Sequence, residues 1–299
     1  MNFSAIIRLI RPKHWVKNIF VLAPLVFAGK FSDIGSTVSA LVAFISFCAA
    51  ASAVYTFNDI KDLELDKLHP GKRIRPLASG ELSTASAWKV CATLLAIAAA
   101  GTVYLTIAGG YAFAVGIGLY LAVNIYYTLV GKTQVIVDAF CIAVGFVLRV
   151  IAGAYAIGVE PTGWIVVTTF FLSLFLGFGK RRGEIVKMQE DSSSHREVLS
   201  SYPINLLDQI IVSTGTIAII SYALYTLDAG VIEKFGSPRL YYTIIPVAYG
   251  VFRYMYLLLK GDEGDPTEVL MKDTGLLFTV LIWLIAAAGI VYIDGGHFR

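Results

Sequence analysis

Apolar runs of about 20 residues recur from one end of this 299-residue chain to the other, and nothing else in the sequence constrains the fold as tightly. A run of that length crosses the hydrocarbon core of a bilayer as a helix, and lipid admits only helices and closed barrels as spanning structures. Barrel strands need about ten residues each, so runs twice as long read as helices. They fall at about 14–29, 36–57, 85–106, 110–130, 134–158, 162–179, 206–227, 238–259 and 273–294. The expected fold is all-α, a polytopic membrane protein of nine transmembrane helices. The first run is the weakest, because Lys17 enters it and Pro24 interrupts it. Charged residues make up 15% of the chain, where a soluble domain carries about 25%.

Nine crossings put the termini on opposite faces, and the loop charges then sort by side. With the N-terminus lie Arg8, Arg11, Lys13, Lys17, Lys61, Lys67, Lys72, Arg73, Arg75, Lys132, Lys180, Arg181, Arg182, Lys187, Arg196, Lys260 and Lys272. The opposite side holds Lys30, Lys234, Arg239 and Arg299. Seventeen against four is the positive-inside pattern, so the N-terminus is expected in the cytoplasm and the C-terminus outside, across a bacterial-type inner (plasma) membrane. Acidic residues share the same inward segments, which argues against nucleic acid as a partner; the lipid bilayer is the partner composition demands. No cleavable leader is evident at the amphipathic start. Cys48, Cys91 and Cys141 sit inside apolar runs without metal-ligand spacing and read as small buried hydrophobes.

Two inward connections, 58–84 and 180–205, are long and densely charged, and look like the walls of a polar site. The first begins NDIKDLELDKLHPGKRIRPLASG. If the preceding helix continues past Phe57, Asp59, Asp62 and Asp66 share one face, as do Asn58, Asp62 and Asp66. Stacked like charges repel and need compensation. Either nearby lysines, Lys61 and Lys67, supply it at a solvated helix end, or a hard cation such as Mg²⁺ does, shared with substrate phosphates. The basic, turn-rich continuation with Lys72, Arg73 and Arg75 favours a metal-bridged diphosphate, since arginine offers a planar fork to phosphate oxygens. In the second connection, GKRRGE places Lys180, Arg181 and Arg182 at a helix end with Glu184 behind them. That triad suits either direct anion binding or a simple membrane-border anchor.

Asn124, Tyr126, Tyr127, Lys132 and Asp138 surround a short inward turn, and Arg149 lies deeper in an apolar helix. Ionisable groups at membrane depth are costly and must be paired or face water. The glycine-rich stretches AIAAAG, GGYAFAVGIG and VIAGAYAIG permit close helix packing or line a channel, and the pattern does not choose between them.

The segment from Asn58 to Asp66 resembles the NDxxDxxxD signature of the UbiA superfamily of intramembrane prenyltransferases. With RPKHWVKN (11–18), YYTLVGKTQVIVDAF (126–140), GFVLRVIAGA (145–154), GKRRGE (179–184) and GDPTE (264–268), the chain is similar to the decaprenyl-phosphate phosphoribosyltransferase branch of that superfamily. The resemblance implies a UbiA-like bundle around a central cavity, with residues 1–299 forming one transmembrane catalytic domain. It implies Mg²⁺-dependent transfer of 5-phosphoribose from phosphoribosyl pyrophosphate to a long-chain polyprenyl (decaprenyl) phosphate, in cell-wall arabinan supply, and it hints at self-association into a homo-oligomer. On that reading Asp59, Asp62 and Asp66, assisted by Asn58, hold the metal, and Asp59, Asp62, Asp66 and Lys180 are catalytic. Substrate binding falls to Lys17, Asn58, Lys72, Arg73, Arg75, Tyr126, Lys132, Asp138, Lys180, Arg181, Arg182 and Glu184. Lys132 and Tyr126 would meet phosphate, while Asp138 would orient a ribose hydroxyl or pair with Lys132. Ordinary members of the superfamily carry a second aspartate motif after the sixth helix. Here no DxxxD follows Gly179, and this departure shifts the expected donor from a lipid diphosphate to a sugar diphosphate. The alternatives are a prenyltransferase acting on an aromatic or other small acceptor, a transporter of a phosphorylated lipid, and a structural scaffold. Asp262, Asp265 and Glu268 read as structural or gating residues.

Overall fold

The computed structural model describes residues 3–190, 202–260 and 265–294. Asp191, Arg196, Asp262 and Arg299 lie outside the described residues. Among those described, the regular structure is helical: α1 (Phe3–Ile10), a 3-10 segment (Pro12–Val21), α2 (Ala23–Phe27), α3 (Ile34–Lys61), α4 (Leu63–Leu68), α5 (Thr84–Gly109), α6 (Ala112–Leu129), α7 (Val137–Ala156), α8 (Gly163–Glu190), α9 (Ile204–Leu227), α10 (Ala229–Phe235), α11 (Ile244–Lys260), α12 (Pro266–Lys272) and α13 (Thr274–Asp294). Eight of the described helical segments are long and apolar enough to cross a membrane. Many large apolar side chains on them, such as Ile45, Ile107 and Ile285, are exposed, which only lipid would tolerate. This is a multi-pass membrane protein.

The expected ninth span, over 14–29, is not one long helix. Arg11 takes a left-handed conformation (φ 52°) directly before Pro12, so the chain turns at the end of α1 and restarts as a 3-10 segment. Only the five residues of α2 follow, with Pro24 in its first turn. Within the described residues, parts of the two supposed loops are helical. Helix α3 runs on to Lys61 and α4 follows at once, while α8 carries the KRRGE sequence as helix through to Glu190.

The chain separates into two compact units. The first comprises residues 1–25, 30–129 and 148–160, with α3 as its axis. Helix α3 is rich in small residues: Ala40, Ala43, Ser46 and the run Ala49–Ala53 are buried, so α5 can lie close along it. Asp33 caps its start by accepting from Ser36 N–H at 2.8 Å, and those hydrogen bonds hold its carboxyl below the usual range. The glycine-rich stretches serve packing in this unit. A Cβ on Gly116 would sit 2.9 Å from that of Ala152, and one on Gly153 would overlap the Val21 carbonyl. Gly153→Ala is therefore expected to destabilise the protein by about 1–3 kcal/mol, since backbone cannot step aside as a side chain can. Gly118→Ala, with nothing within 4 Å of the new methyl, should be neutral. Thermal unfolding of both variants in detergent checks the contrast, and equal melting would refute it.

The second unit comprises residues 26–29, 130–147 and 161–299. Its principal pair is α8 against α9, with α11 and α13 packed in turn. Phe175, Phe178, Leu207 and Leu258 are fully buried at its centre. Asp273 accepts from Leu276 N–H at 2.7 Å at the start of α13 and pairs with Arg253 at 2.7 Å. The Arg253 bond holds its carboxyl below the usual range. Its stabilising effect is present above the ordinary carboxylate pKa and is lost as pH falls through the lowered one.

Candidate active site

Helix α3 places Asn58 and Asp59 on its last turn and ends at Lys61. Asp62 takes a bridge-region conformation (φ −91°, ψ 7°), and α4 then carries Asp66. This break turns the expected carboxylate face into something different. Asp59 and Asp66 are 1% and 2% exposed, whereas Asp62 sits half-buried at the bend between the helices.

Two arginines neutralise the buried pair. Arg75 reaches Asp59 Oδ1 at 3.1 Å and Asp66 Oδ2 at 2.6 Å through a single nitrogen, Nη1. Arg11 reaches the same Asp59 Oδ1 at 2.5 Å, with its guanidinium over the Tyr55 ring. Asp59 Oδ2 is buried and has no hydrogen-bond partner. The left-handed turn at Arg11 is what delivers that side chain. Trp15 and Ser52 then tie the 3-10 segment to α3, Trp15 Nε1 donating to Ser52 Oγ at 3.0 Å and Ser52 Oγ to the Ile10 carbonyl at 2.8 Å. Arg11 was not singled out by spacing; its place at the head of RPKHWVKN was the available signal. Asn58 Oδ1 accepts from the Thr128 hydroxyl of α6.

The other residues proposed around this motif divide by exposure. Arg73 is exposed and Lys72 and Lys17 are half-buried. Tyr126 is 45% exposed on α6. His69 Nδ1 accepts from Gly71 N–H at 3.1 Å, which employs it in the turn. Deeper in this unit, Arg149 donates through Nε to Asn18 Oδ1 at 2.7 Å and through Nη2 to Tyr120 OH at 3.0 Å, its guanidinium 4.6 Å from the Tyr120 ring centroid. That network binds the 3-10 segment to α6 and α7.

In the second unit the basic triad of α8 meets carboxylates one by one. Lys180 Nζ lies 2.8 Å from Asp265 Oδ2, with both side chains about a third exposed. Arg181 is buried, its Nε 2.7 Å from Asp138 Oδ2 and its Nη1 2.5 Å from Glu184 Oε2. Arg182 Nε lies 2.6 Å from Asp208 Oδ1, while its Nη1 donates to the Leu258 carbonyl at 2.9 Å. Asp138 accepts its second bond from Tyr202 OH at 2.7 Å. It is thus committed to Arg181 and Tyr202, where the sequence suggested Lys132 or a ribose hydroxyl. Tyr202 also accepts from Ile136 N–H, the residue that carries the turn through φ 71°. Burial and the bond to Asp138 push the Tyr202 phenol up, so it stays a neutral donor at ordinary pH. Glu184 pairs with Arg181, and Lys132 is half-buried in the turn that Tyr202 braces. Arg181, an expected phosphate ligand, stands at the centre of a buried polar network in this structure; Tyr202, eighteen residues beyond GKRRGE, gave no sequence signal for it.

Residues 19–285 match the model of the UbiA prenyltransferase family. The chain belongs to that family. It is 33% identical to the decaprenyl-phosphate phosphoribosyltransferase of Corynebacterium glutamicum over 97% of this chain and 87% of the relative. The enzyme of the same name from Mycolicibacterium smegmatis is 31% identical, over 97% and 93%. Among solved structures, a UbiA homolog from Archaeoglobus fulgidus bound to DMAPP and Mg²⁺ is 19% identical, with a TM-score of 0.69, covering 97% of this chain and all of that one. This likeness establishes the shared UbiA fold.

The first unit of this UbiA member has a donor set suited to a hard cation, because Asp59 and Asp66 offer carboxylate oxygens and one of those oxygens is buried without a partner. Among the described residues no three His, Cys, Asp or Glu side chains converge on one point, so the expected cage of Asp59, Asp62 and Asp66 is not formed. Two carboxylates still fit Mg²⁺, which is held by one or two carboxylates and completes its shell with water and substrate phosphate.

Proposed function

We infer that this protein transfers 5-phosphoribose from phosphoribosyl pyrophosphate to the phosphate of a long-chain polyprenyl phosphate and releases pyrophosphate. The observation that carries the reading is the match of nearly the whole chain, at 31–33% identity, to two decaprenyl-phosphate phosphoribosyltransferases. The family match runs through both units, in keeping with one catalytic domain over 1–299. The loop charges support an N-terminus in the cytoplasm, where a soluble phosphorylated donor is available to Asp59 and Asp66.

In this reading Asp59 and Asp66 would hold a divalent cation, Mg²⁺ by the chemistry of the donors, with Asn58 and Asp62 bordering it. Bound there, the cation would supply Lewis-acid neutralisation of the charge gathering on the departing diphosphate. Arg75 and Arg11 lie against the same carboxylates and present their guanidinium groups to diphosphate oxygens, with Lys72 and Arg73 close behind in sequence. Lys17, Tyr126, Lys132, Lys180 and Arg182 remain proposed ligands for the donor 5-phosphate and the acceptor phosphate. Transfer breaks the bond from ribose C1 to the diphosphate and forms one from C1 to an acceptor phosphate oxygen. That oxygen is already anionic, so no strong general base is required, in keeping with His69 being engaged in its own turn.

The test supplies the purified protein with labelled phosphoribosyl pyrophosphate, decaprenyl phosphate and Mg²⁺. Label is expected in the lipid fraction with stoichiometric pyrophosphate release. Absence of labelled lipid, in a preparation that consumes a prenyl diphosphate and an aromatic acceptor, would overturn the assignment in favour of prenyl transfer.

A further inference from the structure

Asp59, Asp66 and the two arginines paired with them are neutral as a group before any metal is counted. Two buried carboxylates contribute two negative charges, and the two arginines within 3.1 Å of them contribute two positive ones. Arg75 bridges the pair from one nitrogen. Asp59 Oδ2 is left over, buried and without a hydrogen-bond partner.

Adding a divalent cation alone to this arrangement would leave two excess positive charges among side chains that are themselves largely withdrawn from water. Like charges packed so closely repel strongly at reduced dielectric. A diphosphate arriving with the cation removes the excess, because its oxygens give Arg11 and Arg75 a new anion to pair with. The side chains of Arg11 and Arg75 are 23% and 27% exposed, against 1% and 3% for the carboxylates, so the arginines are the partners open to an arriving anion. Arg11 also sits over Tyr55, and each arginine comes from a separate turn.

We propose that Arg11 and Arg75 are resident counter-ions that make metal binding at Asp59 and Asp66 conditional on a diphosphate, the arginines exchanging from carboxylate to phosphate as the metal enters. The metal and the diphosphate are then positively coupled ligands, and the coupling must be reciprocal. The inference rests on the reading of Asp59 and Asp66 as metal ligands and on a diphosphate-bearing donor, but on neither the sugar nor the acceptor.

Mn²⁺ binding to the detergent-solubilised protein, followed by electron paramagnetic resonance with and without inorganic pyrophosphate, tests it without turnover. After correction for the manganese–pyrophosphate complex in free solution, wild type is expected to bind Mn²⁺ weakly alone and at least about tenfold tighter with pyrophosphate. In Arg75→Gln, Mn²⁺ alone should bind about tenfold tighter than in wild type, and the effect of pyrophosphate should shrink. Arg75→Lys, which retains the charge, should restore the wild-type pattern. Arg11→Gln provides a second route should Arg75→Gln fold poorly. Asp59→Asn must abolish the signal, or the metal is bound elsewhere and the proposal fails. It is also overturned if wild type binds Mn²⁺ equally well without pyrophosphate, or if neither arginine variant tightens metal binding. Because no acceptor or phosphoribosyl group is present, this outcome is independent of whether phosphoribosyl transfer itself is found.

Discussion

Asparagine in place of Asp59 is expected to lower phosphoribosyl transfer by about two to three orders of magnitude or more while leaving the protein folded. The substitution is nearly isosteric, which matters for a side chain only 1% exposed at the end of α3. The retained amide oxygen can still accept from Arg11, and the new amide nitrogen falls where Asp59 Oδ2 now has no partner. Shape is conserved and one negative charge is lost. Removing that charge weakens any cation held there and releases the arginine that balanced it. Both effects bear on the departing diphosphate rather than on the fold. Asp66→Asn should behave in the same way, because Asp66 is the other anchor of Arg75. Asp62→Asn is expected to cost less, since Asp62 occupies the bend between α3 and α4 and is only half-buried. Turnover of labelled donor, with thermal unfolding as control for folding, measures all three. Wild-type turnover in Asp59→Asn would dismiss the carboxylate pair as the centre of the chemistry and revive the solvated helix end, or a transporter that needs no metal.

The membrane architecture was legible because lipid imposes its requirement on every residue of a spanning helix, so composition and length alone mark eight of the helices. The segment over 14–29 departs from one long helix for a local reason. Its apolar content is adequate, but the left-handed Arg11 before Pro12 and the proline in α2 decide its backbone, and a window over hydropathy sees neither. The carboxylate spacing at 59, 62 and 66 marks a polar constellation, while nothing in IKDL announces the bend at Asp62 between α3 and α4. What escaped the sequence most completely were contacts made across long separations. Arg11 and Asp59 lie 48 residues apart, Arg149 and Asn18 131 apart, and Tyr202 and Asp138 64 apart. Periodicity carries no information at those distances. A buried ionisable residue announces that it needs a partner, as Asp138 and Arg149 did, without naming which one.

Arg181 is where the two readings of the basic triad part most sharply. A phosphate ligand would lose activity on substitution and leave stability untouched. The structure instead has Arg181 buried, bonded to Asp138 and Glu184, with Asp138 further held by Tyr202. Arg181→Gln is therefore expected to destabilise the protein by about 3–5 kcal/mol, because it strands the Asp138 charge in a site closed to water. Asp138→Asn alone should cost less, because Arg181 keeps its pair with Glu184 at 2.5 Å. In the double variant both charges go, and asparagine and glutamine can still exchange a hydrogen bond, so much of the lost stability should return. A double-mutant cycle measured by thermal or denaturant unfolding in detergent isolates this coupling. Recovery in the double variant identifies a buried structural pair that fixes α7 to α8 and holds the turn at Ile136. Wild-type melting of Arg181→Gln with lost turnover would instead return Arg181 to the phosphate ligands, and would mean that the pairing with Asp138 yields to substrate during catalysis.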